Sequence, residues 1–193
     1  MLAGGRSQRF GRDKLAEEYR GKPLLQHPVS RLLEVCDRVI VVLAPGAEEP
    51  PMSAGAPVTF VRDAIEGEGP LRGLSAGLAV ANADWTVLAG GDMPDLQPTV
   101  LWEMLRAGLE TGVVAVSLAD HGVERPLPCV LRTVPAAAVV DALLEAGRRS
   151  LRDLLAAVSN VVIDEPTWTA VDPERRTLID IDEPGDLEHE RSR

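Results

Sequence analysis

The sequence predicts an α/β fold built on a mainly parallel mixed sheet. Three observations lead there. Short runs rich in Val, Ile and Leu alternate with longer segments of helical periodicity. The short runs are apolar almost throughout, the pattern of strands covered on both faces. Prolines stand at or near the start of several helical segments, at Pro23, Pro70, Pro98 and Pro135, where a missing N–H costs nothing.

In chain order, strands are expected at residues 38–43, 58–61, 86–89, 113–117, 127–131 and 178–181. The segment opening at Pro23 gathers Leu24, Leu25, Val29, Leu32, Leu33 and Cys36 on one helical face. A helix from Pro70 places Leu71, Leu74 and Leu78 inward, and a third over 98–109 does so with Leu101, Met104 and Leu105. Two more are expected over 135–146 and 150–158. The stretch 45–57 holds four prolines and two glycines, so it reads as a surface loop, either a plain connector or the rim of a ligand pocket. Residues 167–176 also read as a loop.

A chain of 193 residues suits one domain with a sizeable core. Hydrophobic residues at 45% and charged residues at 26% fit a globular protein. Aromatics at 3% leave the core to Leu, Val and Ala. No apolar run approaches the ~20 residues of a membrane helix, and no signal-peptide pattern opens the chain. Cys36 and Cys129 lie in apolar contexts without metal-ligand spacing, so buried, reduced thiols and a cytoplasmic location are expected. A net charge of −10 argues against a nucleic-acid partner. A small anionic ligand needs only local positive charge, and Arg6, Arg9, Arg12 and Lys14 supply it. The sequence carries no pattern that sets an oligomeric state.

Chemistry concentrates in four segments. The first runs Leu2-Ala3-Gly4-Gly5-Arg6-Ser7-Gln8-Arg9-Phe10-Gly11-Arg12-Asp13-Lys14. Gly4, Gly5 and Gly11 let backbone amides approach phosphate oxygens, and Arg9 and Lys14 can neutralise phosphate charge. The spacing is neither a P-loop nor the dinucleotide G-x-G-x-x-G pattern. Such turns normally follow a strand in the sheet centre, so the strand here is very short or begins before residue 1. The second segment, Leu88-Ala89-Gly90-Gly91-Asp92-Met93-Pro94-Asp95, sets a carboxylate at a strand's carboxyl end, where open α/β sheets bind ligands. Asp92 suits Mg²⁺, a hard cation that takes one or two carboxylates together with phosphate oxygens. Asp95 is expected to cap the helix that follows. The third segment places Asp63 after a strand and Gly69-Pro70 at a helix start, with Gly73 and Gly77 serving close packing. In the fourth, Asp180 and Asp182 alternate on a strand end, either helping a second metal, shaping an acceptor pocket or capping the last helix. His27, His121 and His189 have no partners at catalytic spacing, and Gly-x-Ser-x-Gly is absent, which argues against a serine hydrolase. Positioning plus charge stabilisation, the chemistry of phosphoryl-type transfer, fits better.

These segments resemble the molybdenum cofactor guanylyltransferase group of MobA-like nucleotidyltransferases. Leu2-Ala3-Gly4-Gly5 through Asp13-Lys14 is similar to its signature turn, Gly69-Pro70-Leu71 to Gly73 to its Gly-Pro-Leu-x-Gly segment, and Asp92-Met93-Pro94 to its metal motif. Arg125-Pro126-Leu127, Ser150-Leu151-Arg152 and residues 182–187 extend the resemblance over 2–187. It implies a three-layer α/β/α Rossmann-like nucleotidyltransferase fold, a single domain over 1–193, and transfer of GMP from GTP to molybdopterin with release of pyrophosphate. By position, Leu2, Ala3, Gly4 and Gly5 would line the nucleotide, Lys14 would touch its phosphates, Asp63 its base or ribose side, and Asp92 the Mg²⁺; Lys14, Arg9 and the metal would stabilise charge. Ala44-Pro45-Gly46, Arg125 and Asp180-Ile181-Asp182 depart from residues that relatives carry. The alternatives are therefore CTP or another phosphorylated acceptor, or, in another class, a non-catalytic nucleotide-binding module.

Overall fold

The structure is a computed structural model of the chain and describes residues 1–4, 14–63, 65, 67–182 and 185–186. Its elements are, in order, β1 (Glu18–Tyr19), β2 (Lys22–Pro23), α1 (Gln26–Leu32), β3 (Val39–Leu43), β4 (Val58–Arg62), α2 (Pro70–Leu78), β5 (Trp85–Leu88), α3 (Pro98–Thr111), β6 (Ala115–Asp120), β7 (Val123–Arg132), α4 (Thr133–Glu145), α5 (Leu151–Ala157), β8 (Asn160–Ile163) and α6 (Glu165–Thr169). Short 3₁₀ turns cover Lys14–Ala16 and Arg176–Leu178.

Residues 1–3 tie two groups of strands together. Leu2 bridges Val42 on one side and Gly90 on the other, both in parallel. Leu2 N donates to Ala89 O at 2.9 Å, Ala3 N to Val42 O at 2.8 Å, and Gly91 N to Leu2 O at 2.8 Å. With β3 parallel to β4 and the order β5-β7-β6-β8 beyond, the sheet reads β4, β3, residues 1–3, β5, β7, β6, β8. All neighbours are parallel except β7, which is antiparallel to both β5 and β6. The strand expected before the glycine-rich turn is thus in the sheet centre. One edge collects the carboxyl ends of β4, β3, residues 1–3 and β5. The antiparallel β7 brings its own first residues to that same edge.

Side-chain alternation divides the core in two. Val87, Val116, Leu118 and Val130 pack with Val29, Leu101, Met104 and Trp168, from α1, α3 and α6. Leu88, Ala115, Cys129 and Leu131 pack with Leu71, Leu74, Val140 and Leu154, from α2, α4 and α5. Both faces are covered, which explains apolar strands without a polar side. Each such Leu stabilises the fold by roughly 1.5–3 kcal/mol through burial. Helix α2 lies close on the sheet: a Cβ at Gly73 would stand 3.2 Å from Leu2 Cδ2, and one at Gly77 3.2 Å from Val42 Cγ2. The two glycines therefore serve packing, as expected. No helix among the described residues is long and apolar enough to cross a membrane.

The structure corrects several expectations. Residues 178–181 form no strand. Buried Asp172 accepts from Arg176 N at 3.0 Å and Thr177 N at 2.8 Å, which winds the chain into the 3₁₀ turn Arg176–Leu178 at their start, and β8 already pairs with the exposed side of β6. That strand was missed because Asn160–Ile163 is short and follows α5 almost without a break. Part of the expected loop at 167–176 is α6, started by Asp164, whose side chain accepts from Thr167 N. Helix α1 begins at Gln26 rather than Pro23, because Lys22 and Pro23 pair with Glu18 and Tyr19 in a small hairpin. Asp95 caps nothing: the residue before α3 is Gln97, which makes no side-chain cap bond. Both cysteines are free, Cys36 only half-buried and Cys129 buried, with its thiol pushed up to about 12 by burial and then by Glu124.

Candidate active site at the carboxyl edge of the sheet

Strand β5 delivers the central carboxylate. After Leu88 the chain passes Gly90 and Gly91 and turns at Asp92. A Cβ at Gly90 would lie 2.4 Å from Asp92 Oδ1, so only glycine lets the carboxylate fold back over its own turn. Lys14 comes from the opening 3₁₀ turn, anchored by buried Leu15, whose carbonyl accepts from Leu25 N at 3.1 Å. Its Nζ donates to Asp92 Oδ2 at 2.8 Å and to Ile181 O at 2.9 Å, and reaches Asp182 Oδ1 at 3.5 Å. The Lys14 side chain is 15% exposed, so solvent screens this pair less than a surface ion pair.

The third component is the segment after the Arg176–Leu178 turn. Ile181 is buried in the core, and its N–H donates to Asp92 O at 2.9 Å. Asp180 and Asp182 are thereby carried beside Asp92. Partial burial first, then the charges of Asp182 and Asp92, raise the Asp180 carboxyl above its ordinary value, with Arg125 offsetting part of the effect. Three carboxylates thus share one corner with one ammonium.

The predicted site residues that the structure describes each have a place on or off this edge. Lys14 and Asp92 meet. Leu2 and Ala3 lie in the sheet beside them, and Gly4 packs so closely on the end of β3 that a Cβ there would stand 3.0 Å from Ala44 N. Asp63 ends β4, its N–H on Leu43 O at 2.9 Å and its Oδ1 accepting from Ile65 N at 3.2 Å. Three strand intervals separate it from Asp92, roughly 14 Å at ~4.8 Å per interval. Arg9 and Gly5, with Arg6, Gly11, Arg12 and Asp13, lie outside the described residues. Asp95 is drawn away from the site, its Oδ1 accepting from Arg20 at 2.8 Å and its Oδ2 from Tyr19 OH at 3.3 Å. Sequence reasoning missed the Ile181 carbonyl as a partner of Lys14; alternating Asp180 and Asp182 around a buried Ile was the available signal.

Two other features sit elsewhere. A cavity of about 500 Å³ lies at the opposite edge of the sheet, lined mainly by apolar side chains such as Ile40, Leu74, Leu78 and Leu88. Asp120, His121 and Glu165 also converge, but Arg175 stands among them, donating to Asp120 Oδ1 at 2.9 Å and ion-paired with Glu165.

Comparison with known proteins bears on this corner. The family model of the MobA-like NTP transferase domain matches residues 1–161. The chain belongs to that family. A Mycobacterium avium (strain 104) protein named "Probable molybdenum cofactor guanylyltransferase" is 34% identical over 177 residues, 88% of this chain and 87% of the relative. A protein of the same name from Chloroflexus aggregans (strain MD-66 / DSM 9485) is 30% identical over 191 residues, 97% and 89% of the two chains. Among solved structures, the molybdopterin-guanine dinucleotide biosynthesis protein A of Archaeoglobus fulgidus has the same fold, with a TM-score of 0.73 at 23% identity, covering 99% of this chain and 95% of that one.

As a MobA-like NTP transferase, the chain is a nucleotidyltransferase with the three-layer fold that the resemblance implied. Enzymes of this family generally depend on a divalent metal, and the residues here suit one. The donors are hard carboxylate oxygens, Asp92 Oδ1 rests in a cradle that a Cβ at Gly90 would fill, and the neighbouring negative charges raise Asp180.

Proposed function

We propose that this enzyme transfers GMP from GTP to molybdopterin and releases pyrophosphate, with Mg²⁺ held by Asp92. The observation that carries the reading is the convergence of Lys14 and Asp92, 2.8 Å apart, beside the backbone of Leu2 to Gly4 at the carboxyl edge of the sheet. The curated relatives bear names of molybdenum cofactor guanylyltransferases over most of their length, which supports GTP as donor and molybdopterin as acceptor.

The nucleotide is lined by Leu2, Ala3, Gly4 and Gly5, with its base or ribose toward Asp63. Lys14, kept in place by the Ile181 carbonyl, meets phosphate oxygens; Arg9, outside the described residues, would supply a second positive charge. A phosphate oxygen of the acceptor forms a bond to the α-phosphorus as the bond to the bridging oxygen breaks, and the electron pair leaves with pyrophosphate. When bound, Mg²⁺ supplies positive charge to the triphosphate oxygens. Asp92 orients that charge, and the protein's own work is positioning and electrostatic stabilisation. Residues 1–193 act as one nucleotidyltransferase domain in the cytoplasm.

Purified protein with GTP, Mg²⁺ and molybdopterin is expected to release pyrophosphate. Asp92→Ala should keep the fold and lose turnover by about 10²–10³-fold, the scale of losing a single stabilising group. Turnover with CTP and none with GTP would overturn the base assignment. Nucleotide binding without any turnover in the wild type would make the chain a binding module.

A further inference from the structure

A cation on the far side of Asp92 from the nucleotide has no engagement of its own. Arg125 lies near the start of β7, past the carboxyl end of β5, whose last residue Leu88 already pairs with Cys129. Its backbone pairs with Leu118 in the sheet, but its side chain makes no hydrogen bond or ion pair among the described residues. It is half-buried rather than free in solvent. The nearby cations are engaged: Lys14 on Asp92 and Ile181, and Arg175 on Asp120 and Glu165. A partly desolvated guanidinium that has the Asp180 charge in reach but no hydrogen-bonded acceptor is incompletely satisfied, and it suits a further anion.

A register shift aims it. Val116 pairs with Val130, but Leu118 pairs with Arg125, so β7 advances five residues while β6 advances two. The excess is odd and therefore reverses the facing of the side chains on the first residues of β7, Val123 to Arg125, relative to those from Val130 on. An unbroken strand would turn Glu124 to the face shared by Val116 and Leu118. The bulge puts Arg125 there instead, on the face where Ile181 is buried. Glu124 turns to the other face, accepting from Ser117 Oγ at 2.6 Å and Asn160 Nδ2 at 2.7 Å. Arg125 is close enough to Asp180 for its charge to act there.

The strand order supplies the geometry of the reaction. Along the edge stand Asp63, then Leu2 to Gly4, then Asp92, then Arg125. A nucleotide lying over the first three leaves the acceptor to approach Asp92 from the side of β7. We propose that Arg125 is an acceptor-binding residue that grips the phosphomonoester of the acceptor, and that it selects phosphorylated over unphosphorylated acceptors. This rests on the proposed transfer reaction and assigns its second substrate site. Guanidinium and phosphate match in shape and charge, with paired N–H donors facing paired oxygens.

The test uses Arg125→Ala, Arg125→Gln and Arg125→Lys in the full chain, each first checked for GTP binding by thermal shift so that misfolding is recognised. Two readouts follow: the KM for molybdopterin, and the binding of inorganic phosphate to protein saturated with Mg²⁺ and a non-hydrolysable GTP analogue. Arg125→Ala and Arg125→Gln are expected to raise the molybdopterin KM by about 10–100-fold, the scale of a lost charge-assisted contact, and to abolish phosphate binding. The GTP KM should hold, and Arg125→Lys should recover part of both effects. An unchanged molybdopterin KM, or an equal loss for GTP, overturns the assignment. If the wild type does not convert molybdopterin yet binds phosphate in an Arg125-dependent way, the guanylyl-transfer reading falls and the Arg125 site stands.

Discussion

An added Cβ at Gly90 would press on Asp92 Oδ1 at 2.4 Å and on Met93 Cγ at 3.3 Å. Gly90→Ala is therefore expected to push the Asp92 carboxylate off its turn. Strain of this kind costs about 1–3 kcal/mol, visible as a lower Tm, and the displaced carboxylate should weaken Mg²⁺ dependence of turnover more than GTP binding. Equal loss of both would mean that the turn as a whole had collapsed. Asp180 makes a pH prediction. Its pKa is raised from 3.8 by partial burial and by Asp182 and Asp92, so the folded state holds the proton to higher pH than the unfolded state. Stability therefore falls as pH rises from about the unfolded value through the raised folded one, and the loss persists at neutral pH. Asp180→Asn should melt at the wild-type temperature near pH 3 and above it at pH 7, when measured without ligand. A constant difference across that range would exclude titration of Asp180 as the cause.

Among the elements, the irregular segment after α6 governs the site more than any helix does. Asp172, 3% exposed, holds Arg176 N and Thr177 N. That turn sets the direction in which residues 180–182 reach Asp92. Asp172→Ala leaves two N–H groups without their acceptor, at a cost of about 2–4 kcal/mol. It should also lower turnover beyond the fraction unfolded, because Ile181 O would no longer hold Lys14. Activity that follows the folded fraction alone would show that the Ile181 contact does not depend on this turn. The α-helices play a more passive part: α2 and α3 enter behind Pro70 and Pro98, and their inward Leu and Met faces were readable from spacing alone.

For the whole molecule, the relevant scale is sequence separation. Lys14 meets Asp92 across 78 positions and Ile181 across 167, so one ligand cluster spans nearly the full chain. Binding of Mg²⁺ and GTP should therefore stabilise global folding rather than one loop. At ligand a hundred times above Kd the gain is about 2.7 kcal/mol, a rise in Tm of roughly 5–10 °C for a chain of this size. Differential scanning calorimetry with GTP alone, Mg²⁺ alone and both should give one sharper transition only for the pair. Asp92→Ala should remove the Mg²⁺-dependent increment, and an increment that survives would place the metal elsewhere.

The α/β class, the central strands, the prolines that open α2 and α3, and the placing of Asp92 just past the carboxyl end of β5 all came from neighbouring residues, because apolar periodicity and turn chemistry are local properties of a chain. So did the packing role of Gly73 and Gly77. Tertiary structure alone decided the rest. It wound 176–178 into a 3₁₀ turn and left 179–181 without a strand partner, because a buried carboxylate at 172 offered backbone N–H groups a better partner than a sheet edge already taken by β8. It drew Asp95 to Arg20 and Tyr19. It turned Arg125 toward the site through an odd number of extra residues in β7. Each of these outcomes depends on which distant group satisfies a buried charge or an unpaired N–H, and partners brought together by folding leave no mark in local spacing.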